Sequence, residues 1–227
     1  MSRIVLKLGG RVAADVAGEA LALRADGHDV VVVHGAGPQI TAEMERRGIV
    51  PTFVDGRRVT TTEVLQVVRD ALADVNSAVC VALGPTAVSL FGDAIGLRAT
   101  QVTALGLVGD PTPSAPLAVE EALAAGRIPV IAPLALALDD AIALNVNADE
   151  AAAALAVGLR AEKIVFVSDV AGVLMDGVVM EQIAVDDADR MLGDGVFEGG
   201  IVPKLEAAVL ARRGGVGATI GATEVVA

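Results

Sequence analysis

The chain has no tryptophan, no tyrosine and only four phenylalanines, so its core must be built from aliphatic side chains. Disorder requires low hydrophobicity as well as few aromatics. Here 54% of the residues are hydrophobic and the mean hydropathy is +0.63. A packed globule follows, and 227 residues suffice for one large α/β domain or two small lobes.

Other shortages narrow the function. The single cysteine, Cys80, cannot form an internal disulfide, and in the apolar run SAVCVAL it reads as a small core residue. Two histidines and one cysteine are too few for the usual zinc layouts, so no metal-ligand set is expected. His34, at the edge of a glycine loop, reads as structural. The run IPVIAPLALAL (128–138) carries two prolines and is too short to cross a bilayer. The opening MSRIVLKLGG has no signal-peptide layout. The expectation is a cytoplasmic protein without membrane contact. A net charge of −12 argues against nucleic acid as a partner. It also means that an anionic substrate must be held by a few placed cations and backbone amides.

What is present is selective. There are fourteen arginines but three lysines, Lys7, Lys163 and Lys204. Lys7 stands just before Gly9–Gly10 and Lys204 just after Gly199–Gly200. An ammonium is a compact point charge that sits against a phosphoryl oxygen where a planar guanidinium fits less readily. Lys163, beside Glu162, reads as an ordinary surface residue. Asparagine is equally scarce: of Asn76, Asn145 and Asn147, two fall in LNVNADE (144–150), followed by Asp149.

The order of elements is that of βαβ units around a buried parallel sheet. Strands are expected at 3–8, 29–35, 128–134 and 163–169, and helices at 14–26, 38–47, 61–73, 117–126, 148–158 and 186–192. A last long helix opens at EGGIVPK, and short strands GATIG and TEVVA close the chain. TTTE (60–63) can supply a capping box. Residues 84–118 lack a clean period and read as short strands and loops, with DPTPSAP (110–116) as an exposed turn. There is no internal repeat and no polar linker, which favours two lobes sharing one continuous sheet.

Three loops, KLGG (7–10), HGAGP (34–38) and EGGIVPK (198–204), each precede a helix, where glycine lets backbone N–H groups approach an anion. None matches G-x-x-x-x-G-K-[ST] or G-x-G-x-x-G, and no G-x-S-x-G nucleophile elbow is present. Arg57 and Arg58 are adjacent and point opposite ways if extended, so that one can meet solvent while the other reaches a carboxylate.

IVLKLGG, VVVHGAGPQI, DGRRVTTTEVLQVV, ALNVNADEAA, VFVSDVAGVL and EGGIVPKLEAA stand in the order and approximate spacing of the N-acetylglutamate kinases of the amino-acid kinase superfamily, and the chain resembles that family over almost its whole length. The resemblance implies a three-layer αβα sandwich around a mainly parallel open sheet. It implies an N-terminal lobe (1–145) for amino-acid substrate and dimerisation and a C-terminal lobe (146–227) for ATP. The implied reaction phosphorylates the γ-carboxylate of N-acetyl-L-glutamate, a step of arginine biosynthesis, with Mg2+ entering with ATP. By the same resemblance Lys7 and Lys204 stabilise the transferring phosphoryl group and Asp149 holds both lysines. Arg58 and Asn145 bind the substrate carboxylate, and Ala36 and Gly37 face the substrate. Gly9, Gly10 and Gly200 contact phosphate, and the loop of Ser168, Asp169, Gly172 and Leu174 borders the nucleotide.

The chain departs from the family pattern in three places. Ala36 stands in a loop that usually has three glycines, so its methyl is expected to crowd the substrate or to forbid a φ > 0 conformation. Ser77 replaces a lysine often found after Asn76. A helix and loop are missing between Gly221 and the closing strand. Two other readings keep the fold: a kinase for carrier-bound aminoadipate or glutamate, and a nucleotide-binding regulator without catalysis. Only Met1 and Ser2 precede the first strand, too few for a helical turn. A homodimer indifferent to arginine is therefore expected.

Overall fold

The computed structural model describes residues 2–9, 13–167 and 170–227. The first half runs β1 (Arg3–Leu8), α1 (Ala13–Ala25), β2 (Asp29–His34), α2 (Gly37–Arg46), β3 (Phe53–Val54), β4 (Arg57–Arg58), α3 (Thr62–Leu83), β5 (Ala87–Phe91), α4 (Gly92–Ile95), β6 (Arg98–Gln101) and β7 (Val108–Pro111). It continues through α5 (Leu117–Ala124), β8 (Ile128–Ala132), β9 (Leu134–Ala137), β10 (Ala143–Val146), α6 (Ala148–Gly158) and β11 (Lys163–Val167). The remainder is β12 (Leu174–Met175), β13 (Val178–Val179), β14 (Gln182–Ala184), α7 (Val185–Gly193), α8 (Ile201–Arg213), β15 (Gly217–Ile220) and β16 (Thr223–Val226).

Eight strands form one sheet in the order β14-β16-β15-β11-β1-β2-β8-β5. Every pairing in it is parallel except β15 with β16. Alternation along the central strands sorts their side chains into two cores. Ile4, Leu6, Leu8, Val30 and Val32 pack with Ala17 and Ala20 of α1 and with Val79 and Leu83 of α3. Val5, Val31 and Val33 pack with the α6 alanines and with Leu205 and Ala208 of α8. Period-two alternation therefore produces the three-layer αβα sandwich. Lys7 shares the parity of Val5, which directs it toward the α6–α8 layer.

Two stretches differ from the sequence reading. The helix expected over 61–73 runs from Thr62 to Leu83. Its apolar period continues through Val64, Val67, Val68, Ala71, Leu72, Val79 and Leu83, all buried, until Gly84 at φ 71° ends it. SAVCVAL thus lies on a helix, with Val81 exposed and Cys80 only partly buried. The apolar run from Ile128 is split at Pro133: β8 joins the large sheet, while β9 closes a four-stranded ring with β10, β7 and β6. That ring gathers most of the aperiodic middle of the chain.

Candidate active site

The loops after β1, β2 and β11 leave the same edge of the sheet, because Leu8 is in register with both His34 and Val167. From β1 the chain passes to β2 on one side and later to β11 on the other, and ligands of open α/β sheets bind at such a switch. A cleft of about 520 Å3 opens there, with Lys7, Gly9, Ala36, Gly37, Arg58, Asn145, Asp149, Gly200 and Lys204 in its lining.

Asp149 organises the cations. Its Oδ1 is 2.8 Å from Lys7 Nζ and its Oδ2 is 3.6 Å from Lys204 Nζ. Lys7 and Asp149 are each only 5% exposed. Burial lowers the Lys7 pKa; the Asp149 carboxylate opposes that shift, and the neighbouring Lys204 ammonium adds to it. Lys204 also donates to the Gly200 carbonyl (3.3 Å) at the start of α8. Asn147 explains the second amide of LNVNADE: its Oδ1 accepts the Asp149 N–H (2.7 Å) and caps α6. The cap fixes the first turn of the helix, and hence where Asp149 projects.

The glycine loops divide their roles. Gly9 N–H donates to Val167 O and Gly35 N–H to Leu8 O, both at 3.1 Å, so these two amides tie loops to strands. The first turn of α6 carries its own Asp149 and Glu150. α2 and α8 carry no acidic residue in their first turns, so their N-termini present positive helix ends to the cleft. Ala36 adopts φ −145° and is buried with Ile40, Met44 and Leu72. The conformation is open to any L-residue, and the expected φ > 0 conflict does not arise.

Arg58 is 8% exposed. It donates to Thr41 Oγ1 (2.8 Å), Gly37 O (3.4 Å) and Met44 Sδ (3.1 Å), and its guanidinium lies 4.6 Å from the centre of the Phe53 ring. Among the described residues no carboxylate pairs with it. Asn145 Nδ2 donates to Thr60 Oγ1 (3.1 Å), which donates to Arg58 O (2.9 Å). The fully buried Thr60 therefore links the two residues matched to the substrate carboxylate.

Under the loop, Asn76 Nδ2 donates to Val130 O and contacts His34 Nε2, both at 3.0 Å. His34 Nδ1 lies 3.4 Å from Gly35 O. With Nε2 accepting from Asn76, the proton sits on Nδ1 and is directed to that carbonyl. Burial lowers the His34 pKa to about 4, so the imidazole is neutral at physiological pH. Its position is structural and internal.

Gly172 and Leu174 are not in the cleft lining. A Cβ at Gly172 would lie 2.6 Å from Thr223 Oγ1, and Leu174 is exposed on β12. Gly10, Ser168 and Asp169 lie outside the described residues. Sequence reasoning missed the hairpin of β3 and β4 that carries Phe53 and Arg58. The available signal was Asp55–Gly56, with φ 48° and 73°, the pair that a two-residue hairpin turn of type I′ favours.

Residues 2–221 match the model of the amino acid kinase family. The acetylglutamate kinase of Kineococcus radiotolerans is 41% identical over 94% of this chain and 80% of its own length. That of Streptomyces coelicolor is 39% identical over 94% of this chain and 76% of its own. The solved structure of smu.665 from Streptococcus mutans UA159 superposes with a TM-score of 0.90 at 30% identity, covering 99% of this chain and 98% of that one.

Proposed function

We propose that this chain, which belongs to the amino acid kinase family, transfers the γ-phosphoryl group of ATP to the side-chain carboxylate of N-acetyl-L-glutamate. The observation that carries the reading is the placement, in one cleft, of two ammonium groups on a single buried carboxylate and of a buried arginine with no carboxylate partner among the described residues. An unpaired buried cation is costly unless an anion joins it. A substrate carboxylate at Arg58 supplies that anion and leaves the γ-carboxylate to face the phosphoryl group.

A glutamate-type carboxylate, with a pKa of about 4.3, is ionised near neutral pH, so the nucleophile needs no base. Its oxygen attacks the γ-phosphorus, the bond to the β-phosphate oxygen breaks, and ADP leaves with that electron pair. Catalysis then rests on alignment and on cations placed where charge develops. Lys7 and Lys204, aimed by Asp149, fill that role. Both Asp149 oxygens already face ammonium groups. Among the described residues no group of three or more His, Cys, Asp or Glu side chains is placed to hold a metal ion. The divalent cation would enter with the nucleotide and neutralise phosphate charge.

We assign residues 1–145, which hold Arg58 and Asn145, to the amino-acid substrate and residues 146–227, which hold Gly200 and Lys204, to the nucleotide. We also assign a homodimer, which light scattering tests. The reaction is tested with purified protein, Mg-ATP and a panel of acyl amino acids, trapping acyl phosphate with hydroxylamine. Acetylglutamate is expected to give the largest signal. Hydroxamate formed only with carrier-bound aminoadipate or glutamate overturns the acceptor, and none with any acid overturns catalysis.

A further inference from the structure

Arg57 and Arg58 are neighbours on a two-residue strand, so their side chains leave opposite faces. Arg58 turns to α2, as described above. Arg57 also borders the cleft, but its guanidinium turns the other way, toward β7 and α6. Its Nη1 is 2.6 Å from Asp110 Oδ1, its Nη2 donates to Gly109 O at 3.0 Å, and Nη2 lies 3.5 Å from Glu150 Oε2. One guanidinium thus joins the hairpin, the ring strand β7 and the first turn of α6.

Arg58 ties the hairpin to α2, and the backbone of Thr60, just beyond β4, bonds to Leu105 and Leu107; Arg57 adds the tie to β7 and α6. Among the described residues the hairpin's two-residue strands pair only with each other, and a lone two-stranded hairpin is marginal in water. Phe53 and Val54 are exposed on it, so apolar burial contributes little to holding it down. Arg57 and Glu150 are sheltered at 21% and 25% side-chain exposure, where ion pairs are screened less than at an open surface.

We propose that Arg57 is a positioning residue that pins the β3–β4 hairpin to the start of α6. Arg58, on the hairpin, and Asp149, one residue before Glu150, are thereby held as a single unit. The substrate consequence rests on the function proposed above; the pinning itself does not. The junction is also sensitive to pH. The Glu150 carboxyl is pushed up to about 7, chiefly by burial, with Arg57 opposing and Asp110, Glu206 and Asp149 repelling its charge. Acidification through that range removes one of the two carboxylates facing Arg57. The acetylglutamate KM therefore rises as pH falls below about 7, and Glu150→Gln removes that rise.

The test is a double-mutant cycle on Arg57→Ala and Asp110→Ala, with Arg57→Lys as the conservative variant. It is read by KM and kcat for acetylglutamate and by amide hydrogen exchange of residues 53–60 in the ligand-free protein. Arg57→Ala is expected to raise KM about tenfold, with kcat within about threefold, and to speed hairpin exchange. Asp110→Ala shifts both readouts the same way, the double variant is no worse than Arg57→Ala, and Arg57→Lys recovers part of both. A raised KM in Arg57→Ala with unchanged exchange and a silent Asp110→Ala would mean that Arg57 touches substrate itself, and overturns the proposal. Strictly additive effects in the cycle also overturn it. If the parent protein does not phosphorylate acetylglutamate, the exchange cycle still decides the pinning, and only the substrate reading falls.

Discussion

Asp149 presents one carboxylate oxygen to each of two lysines, Oδ1 to Lys7 at 2.8 Å and Oδ2 to Lys204 at 3.6 Å. Lys7 approaches from the central strand of the sheet and Lys204 from the first turn of α8. A single side chain therefore sets the spacing of two positive charges that belong to segments nearly two hundred residues apart.

Asp149→Asn keeps the shape of that junction and removes its charge. The turnover number is expected to fall about a hundredfold or more, the size of effect seen when a placed electrostatic partner is lost. Burial lowers the Lys7 pKa and Asp149 opposes the shift, so without the carboxylate Lys7 gives up its proton at lower pH. The residual activity of Asp149→Asn therefore declines on the alkaline side earlier than that of the parent. A pH–rate profile of both proteins checks this, and coincident alkaline limbs would refute it.

Lys7→Ala and Lys204→Ala are expected to lower kcat with little change in the acetylglutamate KM, each costing on the order of 3 kcal/mol in the transition state. Arg58→Ala should do the opposite and chiefly raise KM, since it removes a charge-assisted contact to the substrate carboxylate. Steady-state kinetics on the three variants separates the roles. Equal KM in the parent and Arg58→Ala would place the substrate carboxylate elsewhere.

Ala36→Gly tests the departure in the second loop. At φ −145° the backbone does not need glycine, and the methyl is buried against Ile40, Met44 and Leu72. Activity is expected to stay within a few-fold. Stability should drop by about 1 kcal/mol, from one lost methyl and a freer unfolded chain. Urea unfolding beside the kinase assay measures both, and a collapse of activity would show that the loop is fitted to alanine for a different ligand.

His34 predicts a pH dependence of stability. Its folded pKa of about 4 lies below the ordinary 6.5, so between those values the unfolded chain binds the extra proton. Stability is then fully present above about pH 6.5 and is lost as pH falls toward 4, by about 3 kcal/mol at the lower end. His34→Gln, which keeps an amide in reach of Asn76, should be less stable at neutral pH yet lose less on acidification. Parallel denaturation midpoints at neutral and acid pH for the two proteins would contradict this.

Much of this protein was settled by its sequence. Period-two alternation in RIVLKL and DVVVVH, the alanine run of α6 and the glycine-flanked lysines were enough for the parallel sheet, the buried helix and the two cations, because these depend on local pattern and residue chemistry. The Asp55–Gly56 turn is equally local. Other features depend on what lies nearby in space. The α3 helix passes the polar pair Asn76–Ser77 because Asn76 finds His34 and Val130 O inside the fold. Asn147 is a cap and Asn145 a neighbour of Thr60, although the two amides look equivalent in LNVNADE. The ring of β6, β7, β9 and β10, and the meeting of Arg57 with Asp110 and Glu150, join residues far apart along the chain. A hydrogen bond or ion pair between such residues acts over a few ångströms of space, and only the packed tertiary structure brings its partners that close.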